Sequence, residues 1–397
     1  MRTSVSQEAG PPAPELRVAL FTGNYNYIKD GVALTLNRLV AFLEAREIPV
    51  LVFAPVAEKP AFQSVGELVP VPSMAIPTRP EYRVALGLSK EARERLEAFR
   101  PTLLHIAVPD IAAYKALKLA ERWKVPVVAS YHTRYDTYLR FYGLGLFEKL
   151  GQRYMRHFYS RVRRVYPPSE SMAEILRREG DPSKVEIWAR GVDSALFSPE
   201  KRDMAWRRQM GIADDEVAIS FAGRLVKEKN TAIFMRVLNT LTGRGLRVKP
   251  LVIGDGPEMA SLRAGLKHGV FAGFLHGEDL ARAYASSDIF FFPSESETFG
   301  NVTLEAMASG LPAVNAIASG SNSLVEEGIT GHLVSARDEA LLADRLAALA
   351  GDPALRKRMG EAARARALAF SWDKILSGLL DSYRAVLREA EAGQHGR

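Results

Sequence analysis

Cysteine is absent from this chain of 397 residues. Its absence excludes a disulfide framework, thiolate metal sites and a cysteine nucleophile, and it suits a reducing compartment. Long hydrophobic runs are missing as well. No uninterrupted apolar stretch reaches the ~18 residues that a membrane-spanning helix needs, so any membrane role is expected to be peripheral. The opening residues, MRTSVSQEAGPPAPEL, lack the apolar centre of a signal peptide. Their Pro, Gly and Ser content reads as a disordered leader over residues 1–16. No histidines and carboxylates stand at metal-ligand spacing, so no catalytic metal is expected.

What is present is an ordinary soluble composition, 47% hydrophobic and 25% charged. The length exceeds what one compact core holds and suits two domains. The formal net charge of +7 and a pI near 9.4 favour anionic partners. Nucleic acid, acidic lipid and phosphorylated substrates all qualify, and only local clustering can choose among them.

From Arg17 the run RVALFTG reads as a buried strand ending in glycine. Val32, Leu36, Leu39, Val40 and Leu43 then recur at helical spacing. IPVLVFAP, LLHIAVP from Leu103 and VPVVASYH from Val125 are further strands, the last two separated by a helical stretch from Ile111 to Trp123. The pattern restarts with AISFAGRL, VKPLVIGDGP, VFAGFL, DIFFFPS and PAVNA, with helices between. Strands alternating with amphipathic helices predict two α/β, doubly wound parallel sheets. The turn-rich stretch Ala189–Asp203 marks the boundary, giving domains at 17–195 and 196–375. Ligands in such sheets bind beyond the carboxyl ends of the strands.

The motifs fall there. SESETFGNVTLEAMASGLPAV follows the strand DIFFFP, with Glu297 and Glu305 eight positions apart. Thr298, Phe299, Gly300 and Asn301 lead into an apolar helix. Glycine lets a backbone approach a ligand, and the first helical N–H groups can face a diphosphate. Glu305, inside the helix, can accept from ribose hydroxyls; Glu297, in the loop, can accept from hydroxyls of a sugar. The ordinary alternative is a helix start with acidic residues favoured by the dipole. Gly223, Arg224 and Lys229 follow another strand, where two cations can neutralise a departing diphosphate; a solvated basic turn is the plain alternative. Gly254, Asp255 and Gly256 follow a third strand, where their turn can border the donor's nucleoside; a tight turn after a buried strand is the strong alternative.

The segment Glu297–Glu305 resembles the E-x7-E motif of family-four retaining glycosyltransferases, which have the GT-B fold. AGRLVKEKN resembles that family's G-R-x4-K element. IGDGP, LARAYASSDIFFFPSESET and Gly191–Asp193 agree with it in order, over about residues 17–390. Within the family, YRVALGL, SYHT, ARGVDSALFSP and PSESETFGNVTLEAM are most similar to sulfoquinovosyl and related diacylglycerol glycosyltransferases. The resemblance implies two Rossmann-like domains facing across a cleft, with a C-terminal helix, 376–392, crossing back to the first. The first loop, TGNYNYIKDGVALT, departs from the family in offering only Gly31 where a doubled glycine is common.

By the same resemblance, His132 lies near the transferred sugar, and Phe274 with His276 and Glu278 borders the base. Other histidines, such as His105 and His157, read as structural. The stretch Arg134–Tyr166 interleaves arginines, among them Arg134, Arg140, Arg153, Arg156 and Arg161, with aromatics such as Tyr142. It suits an anionic membrane or an acceptor lipid; a helix pair with an aromatic core face and a solvated arginine face explains it as well.

The reading is a retaining glycosyltransferase moving a sugar to a membrane lipid such as diacylglycerol. A UDP-sugar donor, UDP-glucuronate or similar, is expected, with GDP-mannose as the alternative. No cofactor, no metal and no nucleic-acid partner are expected. The site of action would be cytoplasmic, peripheral on the inner face of the cell membrane. A GT-B phosphorylase, a nucleotide-sugar epimerase and a non-catalytic membrane- or nucleic-acid-binding protein are the competing classes.

Overall fold

The computed structural model describes residues 15–76, 79–131, 148–297 and 299–395. The chain forms two compact units. The first comprises the residues through Tyr166, Leu176–Glu186 and the chain from Leu376 onward; the second comprises Pro167–Ile175 and Ile187–Ile375. The turn-rich composition suggests a change of unit at 195/196, whereas the units divide at Glu186/Ile187. Composition marks where turns cluster, and packing decides which core a turn joins.

In the first unit the strands are β1 (Val18–Phe21), β2 (Val50–Ala54), β3 (Glu67–Pro70), β4 (Ser73–Ile76), β5 (Arg79–Ala85), β6 (Leu103–Ile106), β7 (Val127–Ser130) and β8 (Arg164–Tyr166). Six of them form a parallel sheet in the order β3-β2-β1-β6-β7-β8, and β4 pairs antiparallel with β5 apart from it. Strands β1, β2, β6 and β7 are buried at every position. A parallel sheet covered on both faces requires that, and it is why they read as continuous apolar runs. Phe21 and Phe53 stack across β1 and β2 at 4.6 Å between centroids. Helix Gly31–Glu44 starts at Asp30, whose carboxylate accepts from Ala33 N at 2.8 Å. Leu36, Leu39, Val40 and Leu43 are its buried stripe.

The second unit has strands β9 (Val217–Ala222), β10 (Val248–Ile253), β11 (Val270–Gly273), β12 (Ile289–Phe292), β13 (Ala313–Ala316) and β14 (Gly331–Val334). Their order is β11-β10-β9-β12-β13-β14, all parallel. Both large sheets run outward from a central first strand and then reverse. The reversal lies between β1 and β6 in one sheet and between β9 and β12 in the other. Such a switch point leaves a crevice at the strand ends.

Sequence reading missed β3, the β4–β5 hairpin, β8 and β14. Strands β3 and β4 are only partly buried, and β8 is three residues long, so none makes an apolar run.

Two polar clusters tie elements together. In the second unit Arg207, 1% exposed, bonds Asp288 Oδ2 at 2.9 Å and the carbonyls of Ser286 and Glu216. In the first unit His105 Nδ1 meets the hydroxyl of Tyr383, from helix Trp372–His395, and His105 Nε2 meets Ser130 Oγ. Tyr166 and Ser382 share a bond of 2.8 Å, and Ser382 donates to Glu186 Oε2 at 2.7 Å. The C-terminal helix therefore belongs to the first unit's core.

Candidate functional site

The site is assembled at the switch point of the second sheet. Strand β9 ends at Ala222, and Gly223 (φ +143°) turns the chain, leaving Arg224 exposed. The turn is held by the segment after β10. Gly223 N donates to Ile253 O and Leu225 N to Asp255 O, each at 2.9 Å. A Cβ on Gly254 would lie 1.9 Å from Gly223 O, and one on Gly256 would lie 2.4 Å from Leu225 O. Backbone contact between the two turns thus accounts for both glycines of the IGDGP segment. Gly254 supports the Arg224 turn from behind, and its donor contact remains an expectation from sequence.

Beyond Arg224 a short 3-10 turn, Lys227–Lys229, leads to Asn230 in the left-handed region (φ +53°) and then helix Thr231–Gly243. Asn230 Nδ2 donates to Pro293 O at 2.8 Å, fastening this turn to the end of β12. Lys229 forms an ion pair with Glu297, and its ammonium lies 3.3 Å from Ser296 Oγ. The pair is partly shielded, with side chains 22% and 18% exposed. No carboxylate among the described residues pairs with Arg224. The turn thus presents one cation joined to the glutamate and two, Arg224 and Lys227, facing solvent.

After Glu297 the chain reaches Phe299, which is buried, and Gly300, which takes φ +97°. Helix Asn301–Ala308 starts there, and no side chain caps its first N–H groups. An uncapped helix start with exposed Asn301 is a place for an anion. Glu305 lies one turn into this helix and is half-buried. The hydroxyl of the fully buried Tyr284 donates to Glu305 Oε2 at 3.4 Å. Burial, and then the Glu305 charge, push the Tyr284 phenol well above its ordinary value, so it stays a hydrogen-bond donor.

Sequence reasoning missed Gly320. Its N–H donates to Glu297 O at 2.9 Å, and a Cβ there would lie 2.4 Å from the Phe299 carbonyl carbon. The signal available was a glycine in a Ser/Asn-rich turn after β13, which alone says nothing of its partner. Tyr284, too, reads from sequence as an ordinary apolar helix position.

Other expected residues are placed as follows. Phe274 is 70% exposed beyond β11 and meets the His276 ring edge-on at 6.1 Å. Glu278 pairs with Lys201 at 2.9 Å. Gly31 opens its helix beside the Asp30 cap, so a carboxylate already occupies part of the helix start. That is the physical counterpart of the missing doubled glycine. In the first unit Arg153 and Arg156 are exposed on helix Glu148–Ser160. Arg161 is instead committed within the domain: it pairs with Glu121 and lies 3.2 Å from the Tyr114 hydroxyl. His132, Arg134, Arg140, Tyr142 and Thr298 lie outside the described residues. Among the described residues no group of three or more histidines and carboxylates could hold a metal ion.

Two parallel Rossmann-like sheets, the second bearing these cations and glutamates, define the GT-B class of glycosyltransferase. The family model for Glycosyltransferase Family 4 matches residues 29–196, and that for group 1 glycosyl transferases matches residues 183–366. A GDP-mannose-dependent α-mannosyltransferase of Mycobacterium tuberculosis is 35% identical, over 73% of this chain and 75% of that one. The sulfoquinovosyl transferase SQD2 of Arabidopsis thaliana is 32% identical, over 73% of this chain and 58% of that one. Sucrose-phosphate synthase from Thermosynechococcus elongatus superposes with a TM-score of 0.76 at 18% identity, covering 94% of this chain and all of that one. This chain belongs to the family 4 glycosyltransferases.

Proposed function

We propose that this enzyme transfers a sugar from a nucleoside-diphosphate sugar to the hydroxyl of a membrane lipid, with retention of configuration. The observation that carries the reading is the cluster at the ends of β9 and β12: exposed Arg224, the Lys229–Glu297 pair and the uncapped start of helix Asn301–Ala308. Arg224, Lys229 and the helix N–H groups neutralise the diphosphate. Lysine has three N–H donors, so Lys229 can serve Glu297 and a phosphate oxygen together. Glu305 accepts from the ribose hydroxyls, and the exposed ring of Phe274 offers a face to the base. Glu297 accepts from hydroxyls of the sugar.

In the reaction the bond from the anomeric carbon to the diphosphate breaks. The acceptor hydroxyl attacks from the side the diphosphate leaves, and its proton passes to the leaving phosphate oxygen. Glu297 positions the sugar and stabilises the developing oxocarbenium charge without forming a bond. Hydrogen bonds that strengthen in the transition state do most of the work. The scheme requires neither cofactor nor metal.

GDP-mannose is the first donor to try, because a relative with that dependence aligns over most of both chains. A UDP-linked anionic sugar such as UDP-glucuronate is the second reading, supported by the sulfoquinovosyl relative. For the acceptor we favour diacylglycerol or a related lipid. No helix among the described residues is long and apolar enough to cross a membrane. Arg153 and Arg156, with half-exposed Tyr154 between them, suit peripheral docking to anionic lipid on the cytoplasmic face.

A donor panel with diacylglycerol and a lipid extract tests this. Glycolipid formed from GDP-mannose with the donor's anomeric configuration is the expected result. Turnover only with UDP-glucuronate would favour the second reading. An inverted product would overturn the mechanism, and a released, altered sugar nucleotide without acceptor would mean an epimerase.

A further inference from the structure

The first unit contains a cavity of about 750 Å³ that the sugar-transfer scheme does not use. It lies between helix Glu148–Ser160, β8 and the residues that follow Leu176. Its volume falls in the range of ~300–1,000 Å³ that holds a small-molecule ligand.

The lining is divided by chemistry. Tyr131, Val165 and Leu176 are buried apolar walls, and half-buried Met155 joins them. The cations in the lining include Arg156 and Lys184, opposed by Glu179 and Asp181. Arg156 is exposed and pairs with no carboxylate among the described residues. The Asp181 carboxylate is occupied locally, accepting from Ser183 N at 3.0 Å and Ser183 Oγ at 2.7 Å. Lys184 donates to Ser160 O at 2.7 Å, which uses one of its three donors. The lining carries three cations, Arg156, Arg178 and Lys184, against the two carboxylates of Glu179 and Asp181, so its formal charge is positive by one.

A sugar would leave hydroxyls unpaired against the apolar walls, at a cost of roughly 1–3 kcal/mol for each. An acyl chain would gain from the same walls, roughly 0.8 kcal/mol for each CH₂ buried. An anionic head would then meet the rim cations. We propose that this cavity seats the acyl chain of one anionic phospholipid, whose phosphate is held at the rim by Arg156 and Lys184. The proposal rests on the membrane-lipid reading above and deepens it: the enzyme extracts part of a lipid from the surface it docks to, at a place built wholly within the first unit.

Titration calorimetry with monomeric short-chain phosphatidylglycerol and phosphatidylcholine, on the full chain, tests it. Saturable binding of one phosphatidylglycerol is expected, at least tenfold tighter than phosphatidylcholine. Leu176→Trp and, at the half-buried wall, Met155→Trp should each abolish binding of both lipids. Arg156→Gln with Lys184→Gln should remove the preference for the anionic head while leaving weak binding. Circular dichroism and retained GDP or UDP binding report that the variants fold. Absence of saturable binding, or binding indifferent to head charge and to both tryptophan variants, overturns the proposal. Liposome co-sedimentation separates this failure from that of the membrane reading: vesicle binding that persists without single-lipid binding removes the cavity and keeps the surface.

Discussion

Lys229 and Glu297 form an ion pair although 68 positions separate them in the sequence. One follows β9 and the other follows β12, and those strands are neighbours at the switch point of the second sheet. The sequence assigns Lys229 to phosphate and Glu297 to sugar as separate tasks. The structure couples them, so a phosphate oxygen that recruits Lys229 also changes the field at Glu297. Lys229→Met should lower turnover by about 10²–10³ and weaken GDP or UDP binding. Glu297→Gln should lower turnover with the nucleotide affinity kept. Steady-state rates with calorimetry of the free nucleotide separate the two. Unchanged turnover in Lys229→Met would remove the lysine from the mechanism.

Gly320 fixes the peptide that follows Glu297. Its N–H bond to Glu297 O and its contact with Phe299 leave no room for a methyl group. Gly320→Ala should displace the loop by roughly an ångström and cut kcat by about 10²-fold, since misplacement of 1 Å is worth that much. A thermal midpoint lowered by only a few degrees, for an overpacking cost of about 1–3 kcal/mol, with a reduced kcat is the expected combination. A normal kcat would show that the loop tolerates the shift.

Arg207 and Asp288 form a buried charge pair in the second unit, supported by backbone carbonyls and by Ala218 N, which donates to Asp288 at 2.7 Å. Arg202 also pairs with Asp288 at 2.7 Å, so removing Arg207 leaves the carboxylate one cation and deprives the carbonyls of Ser286 and Glu216 of their guanidinium donor. Arg207→Met should destabilise the second unit by about 1–3 kcal/mol. Denaturant unfolding measures it; a loss below about 1 kcal/mol would mean that Arg202 and solvent together replace what Arg207 supplies.

His105 gives stability a pH dependence. Burial pushes its imidazole down from 6.5 to about 3. Between those values the unfolded chain binds a proton that the folded chain refuses. The contribution is therefore intact above pH 6.5 and is lost as pH falls toward 3, by up to about 1.4 kcal/mol per pH unit. Urea midpoints from pH 7 to pH 4.5 should fall less steeply in His105→Gln than in wild type. Parallel slopes would assign the acid sensitivity to other groups. Tyr383→Phe should cost about 1–3 kcal/mol at pH 7 by leaving a buried ring nitrogen unsatisfied.

The two sheets were legible because their central strands are buried on both faces and so are written as apolar runs between turn residues. RVALFTG, VPVVASYH and DIFFFPS became β1, β7 and β12 for that reason. The hairpin β4–β5 and the edge strand β3 escaped because edge and solvent positions do not demand an apolar pattern, whereas β8 and β14 are largely buried but short and interrupted by Arg164 and His332. Glu297, Glu305, Arg224 and Lys229 were legible because each directly follows a strand, or the helix after one, where this architecture collects ligands. The pairing of Arg161 was not legible for the opposite reason: arginine spacing does not say which guanidinium a neighbouring carboxylate will claim. Glu121, 40 positions away, claims this one.

The lack of a doubled glycine in the first loop, the absence of thiols, the two-sheet plan and the identity of the charged groups after β9 and β12 all follow from local sequence, because each is a property of adjacent residues. Tertiary structure alone decided that Lys229 neutralises Glu297, that Gly254 exists to let one turn lie on another, that Gly320 holds the glutamate loop, and that helix Trp372–His395 closes the first core through Tyr383. These are contacts between segments tens to hundreds of positions apart. Their energies depend on distances that only the folded backbone sets.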